Sequence, residues 1–255
     1  MRTFALVRLA IWRSSLEQWT WRSFLITIVV GQAVTPLLGL FVWSAALPGS
    51  DTVATYFVVL LAVQLLTVSF EHHTLSNGIY SGTLSGALLL PQPVVIDFIG
   101  SNIGFRLWHV VFGLPFVALA AAVTSTHVTA AGLRLAVPAV LLAGTLRFVF
   151  TYTLALSALW TDRAHAVVGL GETVIFLLGG TAAPIGLLPQ PLRSLGHVLP
   201  FWPMLGLPAE TAAGMLRGST LAAAYAAQIG WLAVLIALAV VIWRRGLGRF
   251  TAVGA

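Results

Sequence analysis

A chain of 255 residues that is 59% apolar and only 8% charged, with a mean hydropathy of +0.98, cannot cover itself with a water-soluble surface, so a soluble enzyme is excluded. The net charge of +6 comes from thirteen basic side chains that are all Arg, with no Lys and no Cys. Without Lys there is no Walker A phosphate loop and no Schiff-base chemistry, and without Cys there are no disulfides, thiolate nucleophiles or Cys-based metal, haem or iron–sulfur sites.

The chain opens with residues 3–22, where Phe4, Val7, Ile11, Trp12, Leu16 and Trp19 alternate with Arg8, Arg13 and Glu17. This reads either as a helix lying at the membrane interface or as a positively charged anchor that only sets topology. It is too long and too Trp-rich for a signal peptide. Six spans are expected, at about residues 24–43, 52–70, 105–123, 133–160, 164–180 and 221–243. Uncharged runs of roughly 18 residues or more carry most of them, the length a spanning helix needs.

Arginine placement orients the bundle. With both termini inside, the cytosolic segments hold Arg2, Arg8, Arg13, Arg22, Arg106, Arg163, Arg244, Arg245 and Arg249, and the outer ones only Arg134, Arg193 and Arg217. That asymmetry satisfies the positive-inside rule and explains the high pI without invoking nucleic acid. Trp19, Trp21, Trp43, Trp108, Trp160, Trp202 and Trp243 fall near expected span ends, as an aromatic belt requires. The whole chain, 1–255, reads as one all-α integral membrane domain.

Two further segments do not span. In the inner segment 71–92, Leu84 and Leu88 lie one helical turn apart before Pro91. A short helix there would offer an apolar ridge to a cytosolic partner, or lie passively under the bundle. The outer segment 181–218 contains Pro184, Pro189, Pro191, Pro200, Pro203 and Pro208 among apolar residues such as Phe201. It is too apolar for a solvated loop and too broken for one span, so it reads as a re-entrant hairpin, with a seventh or eighth span as the alternative.

The order of these parts resembles the permease subunit of type-2 ATP-binding-cassette exporters. Ile79-Tyr80-Ser81-Gly82-Thr83-Leu84 with Leu88 and Pro91 resembles the inner pattern of a branch grouped with drug and viologen exporters. The run Gly179-Gly180, Pro184, Leu188-Pro189, Leu199-Pro200-Phe201 and Pro208 resembles the outer pattern of the same branch. The resemblance implies a coupling helix, formed by Gly82, Thr83, Leu84 and Leu88, that docks in a groove of a cytosolic ATPase. It also implies two ATPase copies that bind ATP and Mg, a second permease, homologous or identical, and a bacterial cytoplasmic (inner) membrane. No cofactor is expected on this chain itself. The cargo it implies is a hydrophobic or amphipathic compound, drug or lipid-like.

Charges inside spans are costly and face protein or a water path. Arg147 lies about 20 Å from Arg134 and about 24 Å from Arg163 along its span, near mid-membrane, and Glu172 lies about 14 Å up the next one. They are candidates for an interhelix pair or for lining a pathway. Asp97, Asn102 and Arg106 read as caps at the start of the third span. Gln32, Gln64 and Asn102 read as interhelix hydrogen-bonders, and Gly31, Gly39, Gly104 and Gly113 as close-contact points. A metal site at Glu71, His72 and His73 is disfavoured, because adjacent side chains on a helix diverge by about 100 degrees. The competing classes are a six-span membrane enzyme, for which no G-x-S-x-G or matched pair of intramembrane acids is present, and an oligomeric channel, for which no filter-like repeat is present.

Overall fold

A computed structural model describes residues 2–124 and 126–248, and every regular element among them is helical. Arg249, counted on the cytosolic side above, lies outside the described residues. The long helices are α1 (Arg2–Thr20), α2 (Arg22–Ala46), α3 (Asp51–Thr67), α6 (Val95–Val123), α7 (Ala130–Ala155), α8 (Ala164–Leu178) and α12 (Gly218–Leu247). Short helices fill two further stretches: α4 (Asn77–Tyr80) and α5 (Thr83–Leu88) in one, α9 (Gln190–Val198), α10 (Phe201–Met204) and α11 (Gly206–Ala212) in the other. Five described helical stretches are long and apolar enough to cross a membrane. The fifth expected span, 164–180, is instead α8, only 15 residues. At 1.5 Å per residue that is about 22 Å, short of a hydrocarbon core of about 30 Å.

The bundle is built around α3. The most apolar part of the stretch Asp51–Tyr80, which contains α3, is 72% buried, against 17% for those of α6 and α12, so α3 is the axis and the others expose broad apolar faces. Tyr56, Phe57, Leu60 and Leu61 pack with Val29 and Ala33 of α2, Leu146 of α7 and Ala209 of α11. The α2–α3 contact is antiparallel and close. A Cβ on Gly39 would fall 2.4 Å from the Phe57 ring. Farther along, the Gln64 amide donates to Gln32 Oε1 at 2.7 Å, the expected hydrogen bond between these helices.

Two boundaries differ instructively from the expected ones. The third span was expected from residue 105, but α6 begins at Val95, directly after Pro91 and Pro93. Asp97, Asn102 and Arg106 do not interrupt it, because each finds a partner on another element: Arg13, Glu71 and the end of α3. The segment 3–22, read as an interfacial helix or a topology-setting anchor, forms α1, which runs alongside α6 in the same direction. Ala10 meets Gly100, Ser14 meets Gly104, the Trp108 indole donates to the Ser15 carbonyl at 3.0 Å, and Trp19 stacks on Trp108. The small side chains at 100 and 104 open a groove that admits the α1 backbone, and that contact decides its direction. Leu9, Trp12, Leu16 and Trp19 stay exposed on the other face.

A Cβ at Gly100 would lie 2.4 Å from Ala10 Cβ and 2.9 Å from its carbonyl carbon, whereas one at Gly31 meets nothing within 4 Å. Gly100→Val is therefore expected to lift α1 from α6, costing about 1–3 kcal/mol. The readout is faster tryptic cleavage after Arg8 and Arg13 with a lowered Tm; Gly31→Ala, the control, should leave both unchanged.

Candidate functional site

At one end of the bundle α3 stops at Thr67, and the chain turns through extended Val68 and a π-helical turn, His72–Ser76, into α4 and α5. Gly82 separates the two short helices with φ of 76°, a left-handed conformation that glycine adopts without strain. This elbow is rooted in the loop after α7. Ser76 Oγ donates to the Ala155 carbonyl at 3.1 Å, and Tyr80 OH donates to the Thr161 carbonyl at 2.8 Å while accepting from the Ala164 N–H.

Of the two orientations open to the Leu84 and Leu88 ridge, outward to a partner or under the bundle, the elbow adopts the second. Leu84 is 2% exposed and packs with Leu75, Ile79, Val94 and Phe148, and Leu88 leans against the same cluster. The turn at Gly82 aims that face at the bundle, where apolar area is available to bury. The outward face instead carries Thr83, Gly86 and Leu89, with Leu89 87% exposed and Leu90 beside it.

Behind the elbow sits a buried polar cluster that sequence reasoning missed. Glu71 is 2% exposed. Its Oε1 accepts from Asn102 Nδ2 at 2.6 Å, and Thr151 Oγ1 is hydrogen-bonded to its other oxygen. The same Asn102 amide reaches Ser69 Oγ at 2.9 Å. Arg106 donates from Nε to the Val68 carbonyl at 2.8 Å and from Nη2 to the Gly144 carbonyl at 2.7 Å, with Thr67 O at 3.4 Å. Arg106 thus serves the orphan carbonyls at the broken end of α3, and Asn102 the side chains of Ser69 and Glu71 just beyond it, so neither caps α6. Their spacing of four residues, which sets both on one face of α6, was the one available signal.

One turn from Thr151, Arg147 Nη2 meets Glu172 Oε2 at 2.8 Å, with side-chain exposures of 3% and 32%. The structure brings these two candidates into contact and joins α7 to α8. The rings of His72 and His73 lie 4.1 Å apart and tilted by 42°, with His165 close by, but no described group of three or more such side chains has a geometry for holding a metal.

The other stretch, 181–218, folds into the protein. Pro184 precedes a 3-10 turn, Ile185–Leu187, while Pro189 and Pro200 stand at the N-caps of α9 and α10. Phe201 opens α10 with its ring edge-on to Phe150, 5.6 Å away. Pro208 lies in the first turn of α11, where its missing N–H costs nothing. Every residue of α11 is buried, and the helix packs against α3 and α7. Long helices supply donors to this irregular backbone: Tyr56 to Gly180 O at 2.7 Å, Trp43 to Ala182 O at 2.9 Å, Trp231 to Val198 O at 3.0 Å and Gln228 to Pro203 O at 2.9 Å. Glu210, 4% exposed, accepts from the Ile185 N–H at 3.1 Å.

Residues 18–254 match the family described as ABC-2 family transporter protein. The chain belongs to that family: it is a multi-pass membrane component of an ATP-binding-cassette transporter, whose ATPase activity resides in a cytosolic partner subunit. No curated protein matches it.

Two outcomes follow from the buried charges. In a thermal-unfolding cycle, Glu172→Ala should cost about 2–3 kcal/mol, discounted for its partial exposure, and Arg147→Ala added to it should restore part of the loss; additive losses would mean no pairing. Burial pushes the Glu210 carboxyl up to about 7, partly opposed by the Ile185 N–H. The native carboxyl then holds a proton that the unfolded chain has lost, so stability falls as pH rises from 4.5 to about 7 and levels off above. Glu210→Gln should abolish that slope and exceed the wild type at pH ~8 by up to roughly 3 kcal/mol, as seen by comparing Tm at the two pH values.

Proposed function

We propose that the chain is one permease half of an ATP-driven exporter that moves a hydrophobic or amphipathic compound, drug or lipid-like, outward across a bacterial cytoplasmic membrane. Membership of the ABC-2 family supports the transport role, and the drug and viologen-exporter branch rests on the sequence patterns around Gly82 and Pro200. In this reading the chain crosses six times, with α8 as the short fifth crossing, and both termini are cytosolic. The stretch 181–218 is a re-entrant outer segment. A second permease, homologous or identical, completes the transmembrane unit, and two ATPase copies bind the ATP and Mg.

The observation that carries the coupling assignment is the elbow α4–α5, an exposed tip on a buried root. Leu84 anchors it at 2% exposure while Leu89 projects at 87%. Gly82 sets the angle between the two short helices, Thr83 begins the second, and Leu88 braces it. A groove on the ATPase would take Thr83, Gly86, Leu89 and Leu90, whose apolar contact needs no salt bridge. Movement of the ATPase pair would then pass through Ser76 and Tyr80 into α7 and α8, which they hold by hydrogen bonds to both sides of the intervening loop. The pair Arg147–Glu172 lies on the path of that movement, holding the same two helices together.

Leu89→Glu is the direct test, because the side chain is free of the core. Reconstituted with its ATPase, the variant should keep its Tm and lose most of the substrate-stimulated ATP hydrolysis and transport, about tenfold for a loss of roughly 1.4 kcal/mol in docking. Leu84→Ala should instead lower Tm, since it opens a cavity costing about 2–5 kcal/mol. Full coupling in Leu89→Glu would remove the elbow from the interface.

A further inference from the structure

We propose that the cavity between α6, α7 and α12 binds an amphipathic organic monoanion, a single-chain carboxylate, with its acidic group on Arg106 and its apolar body along the walls. The cavity has a volume of about 690 Å³, within the range that holds a drug-sized or single-chain ligand. Ile99 and Ile103 of α6, Phe148 and Tyr152 of α7, and Val240 and Trp243 of α12 make its walls. Among the described residues, Arg106 is the only charged one that lines it, and no described carboxylate does.

The guanidinium is only partly used. Nε and Nη2 hold the carbonyls of Val68 and Gly144, while Nη1 makes no hydrogen bond among the described residues. That nitrogen stands against the cavity wall, 2.7 Å from where a Gly144 Cβ would be. Arg106 also belongs to no ion pair among the described residues. Glu71, its Coulombic neighbour, is instead hydrogen-bonded to Asn102 and Thr151, and Arg147 adds a second positive charge nearby. A half-buried cation with a free donor edge and apolar surroundings favours an anion that brings its own apolar cover.

Depth chooses the kind of anion. Tyr152 lies with its ring 6.4 Å from that of Trp243, at the end of the bundle that bears the exposed Arg244 and Arg245. Gly144, beside Nη1, is eight residues back along α7 from Tyr152, about 12 Å deeper. A phospholipid keeps its head at the level of such interfacial aromatics, so its phosphate would not reach Arg106. A molecule with one small acidic group can travel in with that group leading, leaving its chain against Phe148, Val240 and Trp243.

The test is equilibrium binding to the full chain in phosphatidylcholine nanodiscs, with radiolabelled laurate, dodecanol and dodecyltrimethylammonium as probes of equal chain length. Laurate is expected to bind saturably and about tenfold more tightly than dodecanol, and the cation no better than the alcohol. Val240→Trp, which fills the cavity, should weaken laurate and dodecanol together. Arg106→Gln should abolish the preference for laurate; because this residue also holds the end of α3, Gly144→Ala, which only crowds Nη1, supplies the same readout in a chain that keeps its Tm. Equal affinity for all three probes would overturn the proposal, as would a preference that survives Gly144→Ala. Stoichiometric displacement of laurate by phosphatidylglycerol would also overturn it, by assigning the cavity to a resident lipid. Binding is read without the ATPase, so this outcome is separate from that of the coupling test.

Discussion

Inside a bilayer no water is at hand to take a backbone hydrogen bond, so every break in a helix must be satisfied by the protein itself. This chain breaks its helices in two places, after α3 and between α8 and α12, and its buried polar side chains gather at both. Arg106 closes the carbonyls at Thr67 and Val68. At the other break Tyr56, Trp43, Trp231 and Gln228 each lend a donor to a carbonyl of the irregular run. Most of these donors come from helices long enough to cross, so the spans act as scaffolding for the segments that do not.

The two breaks share α3. Its upper half carries Tyr56 to the stretch 181–218, while its last residues feed the polar cluster at Glu71 and the elbow beyond it. A helix buried on all sides transmits displacement with little loss, because close-packed interiors shift as units and do not compress. The elbow is in turn tied to α7 and α8, and these are joined by Arg147 and Glu172. A push on the exposed tip at Leu89 therefore meets a continuous set of packed and hydrogen-bonded elements and no flexible hinge. In the coupling role proposed for it, such a rooted tip is what force transfer to a separate ATPase chain requires.

Much of this was legible in the residues. Long uncharged runs and Arg asymmetry gave the apolar helices their positions, to within a few residues for α2 and α12, since a bilayer demands length and apolarity above all. The order of parts pointed to the permease family. Boundaries failed where a polar residue was judged by type alone: Asp97, Asn102 and Arg106 looked like caps before the start of a span, whereas α6 carries them because α1, Glu71 and α3 meet them. The facing of Leu84 was left open, because periodicity tells which residues share a face and not which way that face points.

Composition, Arg placement and proline spacing by themselves determined that this is an all-helical membrane protein with two broken segments, because solvation by lipid acts on each segment independently of the others. Only the tertiary structure decided that Leu84 faces in and Leu89 out, that Arg147 meets Glu172, and that Glu71, Asn102, Thr151 and Arg106 form one cluster across α6, α7 and the end of α3. Those facts depend on which helices touch, and contact between distant segments is set by the fit of small residues against bulky ones and by the search of each buried polar group for a partner, neither of which is written in any single stretch of chain.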